Sequence, residues 1–266
     1  MSMLFAAVRF EYSRVMSAGR TVWWFVLASF PILIAGLIRF FPLADPSPET
    51  QELDSHLFWS WAIYLLVPCI TCAMGVLLSA GPAIATELEQ RSWVYLATRP
   101  NGIFWLLMGK YLVAIAWAST AAIAGLTIAI LFSQQDTMFQ IWLGAAGLSV
   151  LSSMSYAAVF MLIGTIFPQR AMLFCVVWTT AVEGFISFIP AIINRITVQY
   201  RLRSIFVDWV QPGGDIESIP LFGQSLADGH WFVQIFWLVA LTAVFLAAAQ
   251  VIAHKREFTA AEESDV

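Results

Sequence analysis

Few residues in this chain are able to do chemistry, and they are scattered. His56, His230 and His254 each stand at the end of a different apolar run, so no two share a metal-ligand spacing. Cys69 and Cys72 form one C-x-x-C inside an apolar run and Cys175 lies in another. With no second pair to complete a metal site, they read as small buried side chains. No phosphate loop is present: Gly109-Lys110 leads into Tyr111, and no glycine stands five residues before Gly109. H-E-x-x-H and G-x-S-x-G are absent as well. Any nucleotide chemistry must therefore sit on another polypeptide. Glu183 is the one acidic residue near the middle of an apolar run. A charge at that depth costs roughly 2.5–3.5 kcal/mol or more, so Glu183 is expected to face a helix bundle or a wet cavity.

The elements that carry these residues are helices in lipid. The chain of 266 residues is 60% hydrophobic and only 11% charged, with a mean hydropathy of +0.80. A soluble domain carries about 25% charged residues, so the deficit decides the class: an integral membrane protein. Six apolar runs stand out, at 21–41, 57–80, 111–132, 139–167, 171–193 and 231–253. Each is long enough for the ~20 residues that cross a bilayer, and a lone strand cannot cross, so the expectation is an all-α polytopic fold with six transmembrane helices. Runs four and five are separated only by Pro168-Gln169-Arg170, a tight helical hairpin, and Pro31 and Pro68 mark possible kinks. Span four carries Ala145, Ser149, Ser153 and Ala157 at a strict spacing of four. That stripe reads first as a close-packing face and second as a polar lining.

Basic residues set the orientation. With the N-terminus inside, the inner segments carry Arg9, Arg14, Arg20, Arg91, Arg99, Lys110, Arg170, Lys255 and Arg256, and the outer ones only Arg39, Arg195, Arg201 and Arg203. Both termini are then cytoplasmic, at the plasma (inner) membrane. Residues 1–266 read as one domain. Charges at Arg9, Glu11 and Arg14 argue against a cleavable signal. Leu4, Val8, Tyr12 and Val15 give residues 1–20 the periodicity of an imperfect amphipathic interfacial helix. Residues 194–230 read as an extracytoplasmic segment of short surface helices and a loop, and 254–266 as a polar, acidic tail. No basic surplus suggests nucleic acid.

The charged, tryptophan-containing insert at 82–110 is different in kind. Glu87 and Arg91 are four apart with the acid first, the favourable order for a helical pair. Arg99 precedes Pro100, which ends the helix, and Asn101-Gly102 supplies a turn. Phe104, Trp105 and Lys110 read as interfacial anchors leading into the third span. On periodicity alone this is either a helix that fits a cleft in a soluble partner or an ordinary interfacial loop helix.

The insert resembles the coupling segment of the type-2 permeases of ATP-binding-cassette exporters, also called type V exporters. Glu87, Glu89, Arg91, Ser92, Leu96, Pro100, Gly109 and Lys110 fall on that family's pattern, E-x-E-x-[GR]-[ST]-x-x-x-L-x-x-x-P followed by G-K at the start of a span. The basic residue that often follows the proline is replaced by Asn101-Gly102-Ile103. The motif covers about 25 residues, and six spans with an N-terminal amphipathic helix agree in outline. The resemblance implies a permease subunit without catalytic activity of its own, paired with a second copy or paralogue. It implies a separate ATP-binding-cassette ATPase subunit that carries the ATP and Mg, with no cofactor in this chain. Trp93, Tyr95 and Leu96 would supply contact area to that ATPase, and Glu87, Glu89, Arg91, Arg99 and Pro100 its register. It would also place Glu183 on a translocation pathway or dimer seam; the alternative is a structural hydrogen bond to a neighbouring helix. Two other readings of the chain are a proton-coupled secondary transporter using Glu183, and a non-transporting assembly or scaffold protein.

Overall fold

Small residues set how closely the helices of this chain approach. The computed structural model describes residues 3–15, 17–41, 51–90, 101–133, 137–185, 187, 194, 197–211 and 230–255. Among these residues the structure is helical throughout, with no strand. In chain order the elements are α1 (Met3–Val15), α2 (Ala18–Phe40), α3 (Gln51–Tyr64), α4 (Cys72–Ala80), α5 (Ala85–Glu89), α6 (Gly102–Ala129), α7 (Met138–Ile166), α8 (Ala171–Trp178), α9 (Val198–Val210) and α10 (Trp231–Lys255).

Five helical stretches are long and apolar enough to cross a membrane: Ala18–Phe40, Leu57–Glu89, Gly102–Phe132, Met138–Ile166 and Trp231–Lys255. They match five of the six apolar runs. The remaining run begins as expected with α8 and continues through a π-helical turn, Thr179–Phe185. Residues 186 and 188–193 of that run lie outside the described residues.

α7 is the central pillar. It packs against α4, α6, α8, α9 and α10, whereas α2 and α10 bury little of themselves and turn large apolar side chains such as Phe25, Leu33, Phe236 and Trp237 outward. The stripe Ala145, Ser149, Ser153 and Ala157 is fully buried, which makes it a packing face. Ser149 satisfies its hydroxyl on its own helix, donating to Ala145 O at 2.7 Å, so it adds no polar demand on the neighbour. On α6, a Cβ added to Gly125 would stand 2.5 Å from Ala28 O and 2.7 Å from Pro31 Cγ of α2. Only glycine allows that contact.

Pro31 sits inside an unbroken α2, but Pro68 sits in a π-helical turn, Leu65–Thr71. Proline has no N–H to donate and its ring crowds the preceding turn, and a π turn accommodates both by widening the helix. Thr71 Oγ1 donates to Leu66 O at 2.7 Å, and Ser152 of α7 donates to Pro68 O. Two carbonyls of this turn are thereby partnered inside the bundle.

One expectation fails here. The segment 194–230 was expected to open with surface helices, but α9 is driven into the bundle. Leu202, Ile205 and Phe206 are fully buried, and Arg203 is only 2% exposed. Phe206 meets the rings of Trp61 and Tyr64 at 5.2 and 4.8 Å. The apolar period of Val198, Leu202, Ile205, Phe206 and Val210 supplies the inward face. Residues 212–229 lie outside the described residues.

Replacing Gly125 by alanine is expected to force α2 away from α6 and lower stability by about 1–3 kcal/mol. The comparison is Gly36→Ala, whose new methyl would meet only Phe132 at 3.9 Å. Thermal unfolding in detergent should show a lower Tm for the first variant and an unchanged one for the second.

Candidate functional site

Four charged side chains from three separate stretches of sequence meet at one end of the bundle. Glu11 and Arg14 come from α1, Glu87 from α5 and Lys110 from α6. Glu87 Oε1 accepts from Arg14 Nη1 at 2.7 Å and from Lys110 Nζ at 2.9 Å. Glu11 accepts from the same two cations, at 3.4 Å from Arg14 and 3.3 Å from Lys110. Arg14 also donates to Gln90. Glu87, Glu11 and Lys110 are 2%, 4% and 9% exposed, and Arg14 is half-buried. Two acids and two bases balance, which is what makes burial tolerable. Burial works against the Arg14 charge, but the hydrogen bond to Glu87 and the carboxylates of Glu11 and Glu87 outweigh it and hold its pKa above the ordinary value.

Backbone packing brings these groups together. α1 lies on α6, where a Cβ on Gly109 would already touch Ala7 at 3.3 Å. A glycine at 109 therefore lets α1 settle close enough for Glu11 to reach Lys110, one residue on. The face of α1 that turns inward carries Ala7, Glu11 and Arg14, spaced four and three. Tyr12, on the apolar face expected to lie along the membrane interface, is 55% exposed. The side chains of Leu4 and Val15 lie outside the described residues. A cavity of about 20 Å³ beside the junction is lined by Glu11, Arg20, Ser79, Thr86 and Lys110. It has room for a single water.

Within the bundle lies a second polar cluster, around Glu183. Its carboxylate accepts the first free amides of α9, from Val198 N at 3.1 Å and Gln199 N at 2.9 Å. The residue before the helix, Thr197, makes no side-chain cap, so Glu183 supplies the cap from another element. The positive end of the α9 dipole adds to the attraction. Gln199 then joins two spans: its amide donates to Tyr156 OH at 2.7 Å, and its carbonyl accepts from Tyr64 OH at 2.6 Å. Arg203 donates to Ser187 O at 3.0 Å, and Ser187 donates in turn to the backbone carbonyl of Glu183. At the far end of α9, Gln140 of α7 donates to Trp209 O at 3.3 Å and Val210 O at 3.4 Å. α9 is thus held at both ends by side chains from elsewhere in the fold.

Of the residues singled out in the sequence, Glu87 sits at the heart of the first cluster, turned toward its own chain, and Glu89 is exposed at the end of α5. Arg91, Trp93, Tyr95, Leu96, Arg99 and Pro100 lie outside the described residues, and so does the expected Glu87–Arg91 pair. Lys110 corrects its reading as an interfacial anchor: it points inward because two buried acids await it. Glu11 and Arg14 were missed as site residues. The signal was present, in that both interrupt the apolar period of α1, but nothing in the local sequence names their partners. Among the described residues no group of His, Cys, Asp and Glu could hold a metal ion. Neither protein-family models nor curated proteins match the chain.

Lys110→Met is expected to cost about 3–5 kcal/mol, because it leaves a buried junction one positive charge short. Adding Glu87→Gln restores the balance and should recover part of the loss, a non-additivity that a double-mutant cycle of unfolding free energies reads directly. In the second cluster, Glu183→Ala uncovers two buried amides, a loss of about 1.5–3 kcal/mol. Hydrogen exchange over residues 197–211 should accelerate by tenfold or more. Unchanged protection there would remove Glu183 as the cap of α9.

Proposed function

We propose that this chain is the membrane-spanning permease subunit of an ATP-binding-cassette exporter of the type-2 (type V) class, coupled to a separate ATP-binding subunit. In this reading the chain has six spans, works as a dimer with a second copy or paralogue in the plasma membrane, and keeps both termini cytoplasmic. The nucleotide and its Mg stay on the ATPase, and residues 91–100 complete the surface that meets it.

One observation carries the reading. The first acid of the coupling motif and its terminal Gly109-Lys110 lie far apart in sequence, yet they converge at the four-charge junction. A segment that transmits force must be joined rigidly to the helices it moves. Here α5 is fastened to α6 through Lys110 and to α1 through Arg14, so displacement of α5 acts on both. The ion pairs break only at the cost of leaving charges buried, which makes the joint stiff. A proton-coupled carrier would need Glu183 to exchange its proton during transport, and both oxygens of that carboxylate are committed to the α9 amides.

The test is a purification of the tagged chain from its native membrane, followed by assays for a phosphate-loop ATPase in the eluate. A stoichiometric ATPase whose turnover depends on this chain is expected. It should be lost when residues 91–99 are replaced by a Gly-Ser linker that leaves the helical content intact. Retention of the ATPase by that variant, or vesicle transport driven by a proton gradient alone, would refute the reading.

A further inference from the structure

We propose that the groove between the start of α6 and the end of α10 is a binding site for the headgroup of an anionic phospholipid. The groove has a volume of about 370 Å³, within the range of small-ligand sites. Its lining is apolar at Ile103, Phe104 and Val251 and polar at Gln250, His254 and Lys255. Among the described residues no carboxylate lines it. Both Lys255 and His254 are exposed, and among the described residues neither has an acidic partner. Asn101 makes no side-chain cap on α6, so the first amides of that helix add positive potential there.

Placement decides which anion fits. α6 and α10 both belong to stretches able to cross a membrane, and they end here. The groove therefore stands at the depth of the lipid headgroups, with its apolar lining for the glycerol and acyl region and its cations for the phosphate. This claim rests on the helices alone and stands whether or not the chain works with an ATPase.

Native mass spectrometry of the full chain in detergent, titrated with dioleoyl phosphatidylglycerol or dioleoyl phosphatidylcholine, tests it. One phosphatidylglycerol is expected to be retained in preference to phosphatidylcholine. Lys255→Gln should weaken retention about fivefold, the factor matching roughly 1 kcal/mol per cation at a membrane surface. Val251→Trp fills the groove without changing charge and should abolish it. Arg170→Gln, an exposed cation at the same end of the bundle, should leave it unchanged. Equal retention of the two lipids would overturn the proposal, and so would an equal loss in Arg170→Gln. Binding of glycerol 3-phosphate as tight as that of the lipid would overturn the claim of a lipid site. Retention that increases severalfold on deleting residues 256–266 would make the acidic tail the occupant of the groove and would equally refute the proposal.

Discussion

A polar group carried into the interior of this bundle has to find its partner inside the protein or bear the cost of having none, as the Ser60 hydroxyl does. Lipid offers no hydrogen bonds, and an unpartnered group in hydrocarbon costs several kcal/mol. Much of the architecture follows from that constraint. Ser119, Ser149, Ser155 and Thr242 all donate back to carbonyls of their own helices at 2.7–2.9 Å. Hydroxyls satisfied in this way remain small, so α7 can be approached from many sides at once. The turn at Pro68 is widened and its carbonyls are taken up by Thr71 and Ser152. Buried carboxylates are under the same rule, and it determines where they lie.

Two polar clusters of the bundle meet the rule with different chemistry. Around Glu87, charge is answered by charge, and the partners are long side chains on three helices. Around Glu183, a carboxylate is answered by backbone amides, and its neighbours Gln199, Tyr64 and Tyr156 complete a neutral hydrogen-bonded chain. The first arrangement joins elements that can shift as rigid bodies, because each ion pair fixes a distance without fixing a helix direction. The second fixes a direction, because an amide pair at a helix terminus accepts a carboxylate from only one side. A bundle built this way fixes the direction of α9 and ties α1, α5 and α6 into a joint that resists separation.

The apolar runs foretold most of the helices because a segment in lipid needs length and hydrophobicity, and both are local properties of the sequence. The small-residue stripe on α7 was legible for the same reason: a spacing of four is a face of a helix wherever that helix packs. α9 misled because its mixture of Arg, Tyr and Trp with Val and Leu looks like a surface helix. It is buried because Glu183, Gln140 and the rings of Trp61 and Tyr64 converge on it from three other places in the chain. Arg203 shows the difficulty most plainly. Its partner Ser187 is far from conspicuous in the sequence, and without that partner a buried arginine would not be expected at all.

By itself, then, the sequence determined that this is a helical membrane protein, which runs can cross, and that Glu87, Glu183 and Gly109-Lys110 stand out against an apolar background. Those are statements about single residues and their near neighbours. Only the tertiary structure decided that Glu87 and Lys110 are partners, that Glu11 and Arg14 complete their charge balance, and that Glu183 caps a helix beginning fifteen residues later. The reason is physical. The free energy of a charge depends on what surrounds it in space, and here the surroundings are set by helix packing, down to whether a glycine at 109 lets α1 come close enough.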